Sequence, residues 1–228
     1  MRGNCQKWPR RAQPGQRHQL CKLKDVFMSN DTFHWIKHRV FWAHEMLIGS
    51  GEAVGEDQFA HVFSAEAPPI GWHLWHIARF ADRLQSKLST ETPASSKNEL
   101  WYQKGLSKVW EVDPATLGVY ETGMGQRNSD AQSMIQQAGQ TAIIEYAGIV
   151  FAACNSKVQK VSKDNLDTAY LGILDYGYDT ATGSVWADPS KESTIAQDLM
   201  FQANHSSRHL GMMEALCGLL GRPGTITV

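Results

Sequence analysis

Several features are missing from this 228-residue chain, and each absence removes a class of protein. No apolar run approaches the roughly 18 to 20 residues needed to span a bilayer, and the first residues are polar and basic without the apolar centre of a secretory signal. The expectation is a soluble, cytoplasmic protein without a membrane partner. Cysteine is scarce: Cys5, Cys21, Cys154 and Cys217 lie far apart with no C-x-x-C pair, which argues against a zinc ribbon or a dense disulfide framework. Cys154 and Cys217 sit in apolar helical patterns and read as small core residues. There is no G-x-x-x-x-G-K-[ST] phosphate loop, no G-x-S-x-G elbow and no strand followed by G-x-G-x-x-G, so the common nucleotide and hydrolase readings lack support. No segment shows the alternation of a half-buried strand, and no internal repeat is present.

What is there is a globular composition, 42% hydrophobic, with a net charge of −1 divided unevenly. Residues 1–27 hold seven Lys or Arg against the single acid Asp25, leaving 15 basic and 22 acidic residues in 28–228. Residues 1–27 are expected to be a disordered basic extension, with Met28, directly before the helix-start signal "SNDTFHW", as an alternative start. An acidic body without a basic face is poorly suited to nucleic acid.

Four long helical segments stand out in residues 28–228. The first runs from about Thr32 to Gly49, capped by Ser29, Asn30 or Asp31. The second follows Pro68 and Pro69 through "IGWHLWHIARFADRLQSKL". The third covers about Ser129 to Val161. The fourth opens near Asp188 and Pro189 and closes at Gly221, with Pro223 beyond. Two long connections, about 89–127 and 162–187, separate the later helices, and "NLDTAYLGILDYG" in the second is expected to form a short helix. The fold class is all-α, a four-helix bundle with long crossover connections.

Nine histidines are many for such a chain, and their positions differ in meaning. His205 and His209 are four residues apart, about 40° around a helix, and so share a face. Asp198, Phe201, Gln202, Met212, Leu216, Leu219 and Leu220 project within about 60° of His205, so the pair interrupts the stripe expected to face the bundle centre. In the second helix His76 points along a face with Trp72, Phe80 and Arg83, while Asp82 and Gln85 project outward. A buried imidazole needs a partner for at least one nitrogen. Two readings are open: core histidines satisfied by protein groups, or three imidazoles on one metal ion, which leaves a fourth position for water or substrate. His34, His38 and Glu45 of the first helix form a rival set, but Lys37 and Arg39 beside His38 mark it as surface or pocket rim. His18 and His61 have no constellation.

"PPIGWHLWHIARFADRL" followed far downstream by "NHSSRHLGMMEALCGLLGRPGT" resembles the DinB-like superfamily of metal-binding four-helix bundles. The resemblance spans most of 28–228 and is weakest in the two long connections. It implies a divalent metal held by His76, His205 and His209, with His73 as the second choice to His76. It also implies enzymes that use a low-molecular-weight thiol, transferring it to a small electrophilic substrate, and a possible homodimer. A three-histidine ion keeps its positive charge and would hold an incoming thiol as thiolate. Arg83 and Arg208 are candidates for binding a substrate anion and Asp198 for a general base. The ion can be zinc, nickel or iron(II), since imidazoles accept all three. Two alternatives stand beside the transferase: hydrolysis by a metal-activated water, and a metal-binding stress-response protein without catalysis.

Overall fold

The structure is a computed structural model that describes residues 32–88, 98–171, 176–179, 184–187 and 192–222. The basic extension, the Ser29–Asp31 cap, Cys5, Cys21, His18, Asp188–Pro189 and Pro223 lie outside them. The fold is all-α as the pattern predicts. The helices are α1 (Thr32–Glu52), α2 (Glu56–Phe59), α3 (Ile70–Lys87), α4 (Leu100–Gln103), α5 (Leu106–Val109), α6 (Asn128–Ala138), α7 (Gln140–Lys160) and α8 (Ile195–Leu219). None of them is long and apolar enough to cross a membrane.

The four long helices, α1, α3, α7 and α8, form the bundle, in which α1 and α3 each pack on both α7 and α8. Side-chain contacts fix their directions. Lys37 reaches the carbonyl of Gln159 while Gln140 reaches those of Gly51 and Val54, so α1 and α7 are antiparallel. His73 meets His209 and Lys87 meets Asp198, so α3 and α8 are antiparallel too. Gly51, Leu74 and Ile144 come together at the opposite end of the bundle from the Gln85–Lys157 contact, which makes α3 and α7 parallel. The order is therefore up-down-down-up, and the connection from α3 to α6 must travel the length of the bundle.

Two boundaries differ from the sequence expectation. The third helical segment is two helices, broken at Gly139, whose φ of 77° with ψ of 157° suits only glycine. Its N–H bonds Ile135 O and its carbonyl accepts from Ile143, so Gly139 ends one helix and begins the next. The fourth helix opens at Ile195, not near Asp188. Thr194 caps it with a reciprocal box: Gln197 N–H donates to the Thr194 hydroxyl and Thr194 N–H donates to Gln197 Oε1. At the other end Gly221, at φ 72°, closes the helix with Arg222 N bonding Cys217 O and Gly221 N bonding Gly218 O.

The connection between α7 and α8 also corrects the expectation of no strands. Ala169–Leu171 (β1) pairs antiparallel with Glu192–Thr194 (β4), and Tyr176–Asp179 (β2) with Ser184–Ala187 (β3). The short helix expected in "NLDTAYLGILDYG" is absent from the described residues of that stretch, which hold the end of a 3₁₀ turn at Lys163–Asn165, β1 and part of β2. So short a segment cannot repay helix nucleation on its own, and the tyrosines of β1 and β2 suit paired strands.

The core joins Leu47, Leu74, Ile77, Ile143, Val150 and Met213 from all four helices, with Cys154 and Cys217 as buried free thiols. One polar layer crosses it. His44, fully enclosed and stacked on Phe151 with centroids 4.1 Å apart, donates from Nδ1 to Asn155 Oδ1 at 2.8 Å. Its Nε2 accepts from Gln202 at 3.1 Å. Burial pushes its pKa down to about 4 against an unfolded value of 6.5. The folded protein thus holds His44 neutral while the unfolded chain takes up a proton below pH 6.5. This part of the stability is complete above about pH 6.5 and is lost as pH falls from there toward 4, at about 1.4 kcal/mol per pH unit. Denaturant midpoints of the metal-free protein between pH 8 and 4.5 are expected to show this fall, less steep in His44→Leu than in wild type; identical slopes would exclude His44 as a source.

Candidate metal centre

His76 stands in the second turn of α3, and His205 and His209 lie one turn apart on antiparallel α8. The three offer ring nitrogens within 4.8 Å of one another. His76 Nε2 lies 3.2 Å from His205 Nε2. The other nitrogen of His76, Nδ1, donates to the carbonyl of Thr122. His76 therefore carries its proton on Nδ1 and presents a bare Nε2. Without an ion, the short Nε2–Nε2 contact needs the proton of His205, which leaves His205 Nδ1 buried without a partner.

Burial holds all three rings neutral: the His205 pKa falls to about 3, and His76 and His209 lie far below the usual range, lowered further by neighbouring histidines. Neutral imidazole is the form that ligates a metal. Three converging neutral nitrogens fit a divalent ion of the zinc, nickel or iron(II) kind. The walls are aromatic. Trp72 stacks on His76 with centroids 4.5 Å apart, and Phe80 and Phe201 meet the His205 ring at 4.6 and 4.9 Å.

The projection of α8 needs correction. Its buried side carries Ile195, Gln202, Ser206, His209, Met213 and Cys217, whereas Met212 and Leu219 are exposed. The stripe is thus centred about 80° around from His205, counting about 100° per residue. His205 is half-buried at the stripe's edge and His209 lies within it. The site sits at the seam between α3, α8 and the crossover, and not on the bundle axis.

The crossover from α3 to α6 supplies Thr122, and a buried polar network on α3 holds it there. Asp82 and Gln85, expected to face outward, are buried because this segment covers them. Asp82 accepts from the backbone N–H of Leu100 and Trp101 at 2.8 Å each, so its charge caps the N-terminus of α4. It also accepts from Gln85, Tyr146 and Arg79. Arg79, wholly buried, donates to Glu99 at 2.7 Å and to the carbonyls of Glu121 at 2.8 Å and Tyr120 at 3.3 Å. Those carbonyls belong to residues in left-handed conformation, Tyr120 at φ 54° and Glu121 at 52°. Gly123 follows at φ 85°, where an added Cβ would lie 2.9 Å from the rings of Trp72 and Trp75. Arg79 therefore pins a strained turn whose next carbonyl orients His76.

The remaining sequence candidates separate. His73, the second choice for the α3 ligand, is buried with Nδ1 2.8 Å from His209 Nδ1. Arg83 is buried with its guanidinium 4.4 Å from the Tyr120 ring, facing the crossover. Arg208 is exposed, close enough for its charge to lower the pKa of His205 and His209. Asp198 forms a buried ion pair with Lys87 at the far end of α3, away from the histidines. Its position on the stripe is therefore a structural one. His34, Glu45 and His61 are exposed and His38 is half-buried, consistent with a surface reading. Sequence pattern did not reveal Thr122, whose contribution is a backbone carbonyl, or the Arg79–Asp82 pair, whose only mark was an i, i+3 charge pair inside an aromatic helix.

No protein-family model matches this chain, and no curated protein matches it. Among solved structures it is similar to a conserved protein from Enterococcus faecalis. That similarity covers 85% of this chain and 100% of that one, at 15% identity and a TM-score of 0.59. A likeness at this identity establishes the shared fold. Asp82→Ala is expected to cost about 3–5 kcal/mol in denaturant unfolding, because it removes one of the two carboxylates on a buried guanidinium and leaves the Leu100 and Trp101 amides unpaired; a cost below about 1 kcal/mol would show that the network does not hold the crossover.

Proposed function

We propose that the chain is a divalent-metal-dependent enzyme of the DinB-like kind that transfers a low-molecular-weight thiol to a small electrophilic substrate. The observation that carries the reading is the convergence of three neutral imidazoles at a seam of the bundle, two buried and one half-buried. His76, His205 and His209 would hold the ion, which when bound supplies the positive charge that keeps a thiol ionised near neutral pH.

The chain's own residues provide the rest. Thr122 O keeps the proton of His76 on Nδ1, away from the site. Trp72, Phe80 and Phe201 limit water around the rings, which strengthens electrostatic interactions there. Exposed Arg208, on the same stretch of α8 as the ligands, is the residue to bind a carboxylate of thiol or electrophile. Arg83, covered by Tyr120, shapes the crossover.

A second reading, a metal-binding protein without catalysis, draws on one observation: a groove of about 830 Å³ lies beside α5 and α7, and none of the three histidines lines it. Elemental analysis of purified protein is expected to find about one zinc, nickel or iron per chain, lost in His76→Ala, His205→Ala and His209→Ala. Unchanged metal in all three variants would end the site. The loaded wild type is then expected to consume bacillithiol, mycothiol or glutathione in the presence of an electrophile panel, and Arg208→Ala to raise KM for the anionic partner. Metal without thiol consumption would favour the non-catalytic reading.

A further inference from the structure

The four histidines at the seam form two facing pairs. On α3, His73 and His76 are three residues apart; on antiparallel α8, His205 and His209 are four apart. His76 faces His205 and His73 faces His209. The pairs touch through different atoms: Nε2 to Nε2 at 3.2 Å in the first, Nδ1 to Nδ1 at 2.8 Å in the second. Two bare nitrogens at 2.8 Å repel and two protonated ones clash, so one ring of the second pair donates and the other accepts.

We propose that His73 is not a ligand but the positioning residue of His209: it accepts the proton of His209 Nδ1 and thereby fixes His209 with a bare Nε2 toward His76 and His205. This rests on the metal reading above for its purpose, though not for its hydrogen bond. Three observations carry it. His73 lies outside the group whose nitrogens fall within 4.8 Å of one another, so it stands behind His209 and not beside the common point. Its ring is enclosed and held edge-on by Trp72, with centroids 5.3 Å apart and planes at 80°, so it is oriented and not free to swing. And the role it fills is the one Thr122 O fills for His76: an acceptor on the outer ring nitrogen that leaves the inner one bare. A ligating imidazole normally has such an outer partner, and losing it weakens metal binding about 10–100-fold. With both arrangements in place, His76 and His209 are set in the binding tautomer before any ion arrives.

The test compares wild type, His73→Leu, which removes the acceptor at similar bulk, and His73→Asn, which returns an amide oxygen near the Nδ1 position. In the metal-free protein, ¹⁵N-resolved NMR of the imidazoles at pH 7.5 is expected to show His209 as the Nδ1–H tautomer in wild type and His73→Asn but not in His73→Leu. Cobalt(II) titration is expected to give one ion per chain in all three, bound about 10–100-fold more weakly by His73→Leu, with most of the loss recovered in His73→Asn. An Nε2–H tautomer of His209 in wild type would overturn the proposal. So would an unchanged cobalt affinity in His73→Leu, a stoichiometry of zero as in His209→Ala, or failure of His73→Asn to recover affinity. A wild type that binds no cobalt while keeping the His209 tautomer contrast would sink the metal reading and leave the hydrogen bond established.

Discussion

The buried pair of Arg79 and Asp82 is the contact on which the rest of this molecule depends. Both side chains are wholly enclosed, and a buried charge is tolerable only when its hydrogen-bonding capacity is filled. Asp82 fills it with two backbone amides, an amide side chain, a phenol and the guanidinium; Arg79 fills it with two carboxylates, that phenol and two carbonyls. Most of these partners come from the crossover between α3 and α6 or from α7. One pair of charges on α3 thus decides where the crossover lies at both 99–101 and 120–121, and a direct Arg79 bond ends one residue before the carbonyl that touches His76.

Site and scaffold are therefore linked in a short series of contacts. α3 contributes His73 and His76 on the side toward α8, and Arg79 and Asp82 on the side toward the crossover. It is buried over nearly its whole circumference, with Trp72 alone of its eighteen residues left partly open. That residue stacks on His76 and donates to Gln126 of the crossover, so even the open position serves the seam. A helix covered on all sides turns little about its own axis, which suits a site that needs nitrogens placed within a few tenths of an ångström.

Much of this was visible in the sequence, and the remainder has identifiable causes. The four long helices follow from apolar periodicity, the proline pair before α3 and the glycine after α8. His76, His205 and His209 stood out because polar rings interrupted apolar faces. Local pattern failed where distant segments intervene. Asp82 and Gln85 read as solvent-facing because helical projection knows only one helix, and what covers them starts more than ten residues later in the chain. The rotation of α8 was misjudged because Met212, Leu216, Leu219 and Leu220 drew the apparent stripe toward His205, while Gln202 and Ser206 occupy the true interior through hydrogen bonds to each other and to His44. Gly139 falls inside the single helix expected over about 129–161, and its backbone angles mark a break there.

The up-down-down-up order places the facing histidines far apart along the chain: His76 and His205 are separated by 129 residues. An ion shared between them would tie one end of that span to the other, as a disulfide does, but reversibly and under the control of metal supply. Unlike a disulfide, such a tie is absent from the unfolded chain, so it would stabilise the fold by the free energy of binding the ion. Loading the site and keeping the bundle closed would then be one equilibrium, and metal scarcity would be felt by this protein first as a loss of fold stability.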